Sequence, residues 1–164
     1  MKLDRRGTAA DNARALMPKM AKKYFAAGRK ALHHKTPLEE LHPFRIATKR
    51  FRYSLELFEP VYGRSLDRFI QALRDLQNAL SQISDVMTIR ALVRGDTALE
   101  TKLQRVLERR LKELRAQWAA FDAPGELARW RGYFAGVPAS QRVGAARRHQ
   151  RESAGRPAKG TMLE

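Results

Sequence analysis

Apolar residues recur every three or four positions along most of this chain, the spacing of amphipathic helices. The first stripe is Ala13, Leu16, Met17, Met20, Tyr24, Ala27 and Ala31, running to about His33, with Thr8 or Asp11 placed to cap it. Pro18 interrupts it, because proline removes a backbone donor and crowds the preceding turn. A kink there, or a main helix beginning there, is expected. Thr36 and Pro37 read as cap and first helical position of a second element, with Glu39 and Glu40 in its opening turn. Its body, Leu41 to Tyr62, is closed by Pro60 and Gly63. A third helix is predicted from Arg64 to Arg94, burying Leu66, Phe69, Ile70, Leu73, Leu76, Leu80, Ile83, Met87 and Leu92. Gly95 and Asp96 stop it and cap a fourth, from Thr97 to about Phe121. After Pro124 and Gly125, residues 126–136 form a short fifth helix that lays Trp130 and Phe134 over one end of the core. No strand-like alternation and no Asn-Gly or Asp-Gly hairpin signal is present. The pattern predicts an all-α fold over 1–136: an antiparallel four-helix bundle with a short extra C-terminal helix. From Val137 the apolar period vanishes, and 137–164 reads as a disordered basic tail.

The second helix organises the rest. At about 100° per residue, Phe44, Thr48, Phe51, Leu55, Phe58 and Tyr62 share one face. His42, Arg45, Lys49, Arg52, Tyr53 and Glu56 gather on roughly the opposite one. Steps of four and three keep Arg45, Lys49 and Arg52 in register along the helix. A solvated polar face is the ordinary reading of such charges, but a solvated face mixes signs, and this one is cationic until Glu56. Arg offers a planar fork to phosphate oxygens, Lys a mobile point charge, His42 and Tyr53 further donors. Glu56 is placed to pair with Arg52 or Lys49. Lys19, Lys22, Lys23, Arg29 and Lys30 collect on one side of the first helix. They are surface positions, or an extension of the cationic track if they lie beside it. His33 and His34 read as surface histidines, the two tryptophans as core, and Gln77 and Asp85 as structural hydrogen-bond partners on the third helix.

Composition sharpens the picture. The chain has 164 residues, 33 Lys+Arg against 17 Asp+Glu, and a formal charge of +16, which points to a polyanionic partner. Residues 1–60 carry 14 basic and 6 acidic side chains, so half of the excess, +8, lies with the first two helices. There is no cysteine, which excludes disulfides and Cys-ligated metal centres and fits a reducing cytoplasm. No apolar run approaches the ~20 residues of a membrane span. No catalytic role is assigned: only Glu56 and Glu59 lie near the cationic helix, so no carboxylate pair is available for Mg²⁺, and there is no phosphate-binding glycine loop. No cofactor is expected.

At LHPFRIATKRFRYSLELF the chain resembles the signature helix of the CHAD (conserved histidine α-helical) domain, His-x-x-Arg-x-x-x-Lys-x-x-Arg-Tyr, met here at His42, Arg45, Lys49, Arg52 and Tyr53. LQNALSQISDVMTIRAL is similar to that family's third helix, with Ser81 where Gly is usual and Ser84 where Asn is usual. The resemblance spans roughly residues 10–122. It implies a non-catalytic domain whose basic groove binds inorganic polyphosphate, cytoplasmic and associated with polyphosphate granules. Typical members hold two four-helix bundles, and one signature helix here implies a half-repeat completed by a homodimer. Nucleic acid is the alternative partner. Against it, Tyr53 is the one aromatic platform on the basic face.

Overall fold

The structure is a computed structural model and describes residues 3–136, so the tail expected over 137–164 lies outside the described residues. Five α-helices follow in order: α1 (Ala9–Ala31), α2 (Leu41–Tyr62), α3 (Asp67–Leu92), α4 (Thr97–Phe121) and α5 (Glu126–Ala135). Single 3₁₀ turns at Leu38–Glu40 and Arg64–Leu66 lead into α2 and α3.

α1 is one continuous helix from Ala9 with Pro18 inside it, so the main helix does not begin at Pro18. The first turns are anchored well enough to survive the lost backbone bond. Thr8 and Asp11 exchange reciprocal capping bonds. The buried Asn12 side chain also ties Asp4, both its N–H and its C=O, to the helix start. Nor does Thr36 cap a helix: its hydroxyl donates to Lys30 O at 2.7 Å and closes the α1–α2 turn. Pro43 falls in the first turn of α2, where its missing N–H costs nothing. Gly63, at φ 75°, ends α2.

The long helices run antiparallel around one core. Tyr24 meets Thr48 and Lys30 meets Glu40 between α1 and α2. Between α2 and α3, Arg45 meets Ser81, Arg52 meets Gln77 and Glu56 meets Arg74. The ring closes where Arg29 clasps Asp122 with two bonds of 2.7 Å and Arg115 reaches Leu32 O, joining α4 to α1. At its centre Tyr24, Phe25, Phe44 and Phe51 meet Trp118 and Phe121 of α4 and Trp130 of α5. Most predicted core positions are buried, though Leu16, Met20, Ala27 and Met87 are half-buried. Leu92 is 79% exposed, because α3 outruns the helices that would cover it.

Candidate anion-binding seam

The cations of α2 do not point directly away from the core. Arg45 and Arg52 each follow a core residue, Phe44 and Phe51, by one position. That sets them about 100° around the helix, on the flank against α3. Both are consequently half-buried, and α3 supplies their partners. Arg45 Nε donates to Ser81 Oγ at 3.2 Å, and its Nη atoms make no hydrogen bond among the described residues. Arg52 Nε donates to Gln77 Oε1 at 3.0 Å and Nη1 donates to Glu56. Glu56 also accepts from Arg74 Nη2 at 3.2 Å, so one carboxylate is shared by two guanidinium groups.

His42, Lys49 and Tyr53 lie further round the helix and are exposed. The Tyr53 ring carries the Arg52 guanidinium 4.5 Å from its centre and the Lys49 ammonium at 5.6 Å, cation–π distances that gather both charges around one ring. Lys49 makes no ion pair among the described residues.

The opposite wall comes from α3. Arg74, Gln77, Ser81, Ser84 and Thr88 repeat with steps of three and four and so share one face. Four fixed cations, Arg45, Lys49, Arg52 and Arg74, thus stand along one interhelical seam against one carboxylate, Glu56. Sequence reasoning missed Arg74, although the period was there to read, because the cationic row was read as facing solvent. Gln77 is the structural partner expected. Asp85 is exposed and bonds to nothing among the described residues.

The α1 cations fall elsewhere. Arg29 is bound to Asp122 and Lys30 to Glu40 (3.2 Å), while Lys19, Lys22 and Lys23 are exposed. α2 packs against α1 with one flank and α3 with the other, so the structure does not bring this set onto the seam. His33 and His34 are exposed with ring centres 4.3 Å apart. Among the described residues no cluster of three or more His, Asp or Glu could hold a metal ion, and no helix is long and apolar enough to cross a membrane.

Fold and seam together define an all-α bundle with a cationic interhelical groove. The CHAD domain family model matches residues 2–94, more than half of the chain, and the protein belongs to that family, which in general binds polyphosphate. The match covers α1 to α3, hence both walls of the seam, and ends at the turn before α4. No curated protein and no solved structure matches the chain.

Proposed function

We propose that this protein binds inorganic polyphosphate along the α2–α3 seam and performs no chemistry on it. Arg45, Lys49 and Arg52 contact phosphate oxygens, with His42 and Tyr53 as further donors and Arg74 at the far end. The observation that carries this reading is the line of fixed cations, two of them aimed by neutral partners on α3. Ser81 orients Arg45 without offsetting its charge, Gln77 and Glu56 together fix Arg52, and a guanidinium held in one orientation loses less freedom when it binds. Lys19, Lys22, Lys23, Arg29 and Lys30 form an outer set that a long polymer reaches once the seam is filled, and the basic 137–164 segment adds avidity. Two copies bring two such seams to one polymer. The expected setting is cytoplasmic, at polyphosphate granules.

The test is competition at physiological salt between long-chain polyphosphate and DNA or RNA of equal charge, using wild type and the Arg45→Gln/Lys49→Gln/Arg52→Gln triple variant. Polyphosphate should win on wild type, and the folded triple variant should lose it. Preference for nucleic acid would overturn the reading, as would a triple variant that binds polyphosphate at wild-type strength. Phosphate release with added Mg²⁺ or Mn²⁺ should be nil.

A further inference from the structure

The α3–α4 hairpin extends past the rest of the bundle. α1 ends near Leu32, which Arg115 of α4 reaches, yet α4 begins at Thr97. Leu107, Leu111 and Leu114 of α4 are buried, whereas Thr97 to Val106, about 14 Å of helix, buries none of its side chains. At this end Leu92 is 79% and Ile89 47% exposed, and Met87, Leu99, Leu103 and Val106 are only half-buried. Ile89 and Leu92 stand roughly 140–200° around α3 from Met87 and line neither recess at this end, whereas Leu38, Met87, Ala91 and Leu107 line the larger one.

A recess of about 610 Å³ opens between α3, α4 and the 38–40 turn. Its floor is apolar, from Leu38, Met87, Ala91 and Leu107. Its charges are Arg90 and Arg94 against Glu39 and Glu100, balanced in a chain of net +16. Arg90 and Arg94 continue the Ile83–Met87 stripe by steps of three and four, so arginines stand where the core would take apolar residues. Arg90, Arg94 and Glu39 make no ion pair among the described residues. A polyanion would be opposed here by both glutamates. The matching surface is one with an apolar centre and the same two signs in reversed order. An identical recess related by a two-fold axis supplies that, setting the arginines of each copy against the glutamates of the other.

A second recess, of about 470 Å³, shares Leu38, Glu39, Met87 and Ala91 with the first and has His42 and Arg45 on its rim. A copy seated on the hairpin therefore stands at the start of the cationic seam. We propose that the tip of the α3–α4 hairpin is a two-fold homodimer surface, and that it joins two seams end to end into one longer groove. The joining rests on the polyphosphate reading; the dimer surface does not.

Sedimentation equilibrium of the full chain without polyphosphate, at micromolar concentration, should show a dimer. Ala91→Glu, at an exposed position lining both recesses, should abolish it while far-ultraviolet circular dichroism stays helical. Arg90→Glu/Arg94→Glu and Glu39→Lys should each be monomeric alone, and their equimolar mixture should recover a dimer. A monomeric wild type, a dimer that survives Ala91→Glu and the charge reversals, or a mixture that stays monomeric overturns the surface. The Ala91→Glu monomer should bind short polyphosphate as wild type does and lose the preference for long chains; an unchanged long-chain preference overturns the joined groove. If the wild-type dimer binds no polyphosphate of any length, the functional reading falls and the dimer surface stands.

Discussion

Gly28 shows how one residue fixes the distance between two helices. A β-carbon added there would overlap the six-membered end of the Trp118 ring, which approaches the α1 backbone at this position. Gly28→Ala should therefore cost about 1–3 kcal/mol in chemical denaturation, the range for overpacking, where helix propensity alone would favour alanine. Tyr24 carries a different signal. Thr48 Oγ1 gives its proton to Phe44 O, so Tyr24 must donate in the Tyr24–Thr48 pair. Burial pushes the Tyr24 phenol far above its ordinary value, and burial followed by the neighbouring Tyr133 does the same to Tyr62, which donates to Phe134 O. A folded-state value above the unfolded one means that the stability is fully present below the ordinary phenol pKa of about 10. It is lost as pH rises beyond that. Tyrosinate absorbance should rise for Tyr24 and Tyr62 only together with loss of helix, a coincidence checked by following both signals in one alkaline titration. Asp11 moves the other way: its bonds from Thr8, then Arg14, hold its carboxyl below the ordinary range. The contribution of this cap is present above the unfolded carboxylate value and fades as pH falls through the depressed one. Thr8→Ala should raise the Asp11 pKa in a carboxyl NMR titration.

At the scale of the element, α2 divides its cations between two tasks. Arg52 is half-buried and bound to Gln77 and Glu56, whereas Lys49 is exposed and pairs with no acid among the described residues. Arg52→Gln should lower stability by about 1–2 kcal/mol, because partners on two helices lose a charged donor. Lys49→Gln should change stability by less than about 0.5 kcal/mol. Both should weaken polyphosphate binding. Melting curves run beside binding titrations separate the two roles, and equal losses of stability would show that the seam does not order its arginines.

For the whole molecule, charge governs strength and its salt dependence. A Lys or Arg near an anionic surface contributes about 1 kcal/mol. The triple Gln variant should then bind about a hundredfold more weakly. By the counterion-release argument developed for nucleic acids, it should also reduce the slope of log affinity against log salt by roughly two. Titrations at several salt concentrations measure both. A large loss of affinity with an unchanged slope would mean that the three residues act by shaping the seam, with no phosphates neutralised.

The helices were legible because each depends on short-range signals: a repeating apolar period, Asp96 as cap, Gly63 and Gly125 at positive φ, which side chains rarely adopt. The span expected for α2 is the one observed, and α4 likewise. The cationic row was legible for the same reason, since its spacing lies within one helix. Its direction was not, because 100° of rotation separates a solvated face from a seam, and which it becomes depends on where α3 packs. Pro18 and Leu92 mark the same boundary. A local rule started or kinked the helix at one and buried the other, whereas α1 runs on through Pro18 and α3 outruns its cover at Leu92. Sequence by itself determined the elements and the sign of their charge, both set by neighbours a few residues apart. Only the tertiary structure decided which cations meet neutral partners, which are spent on Asp122 and Glu40, and where the core gives out, because those contacts join residues far apart in the chain.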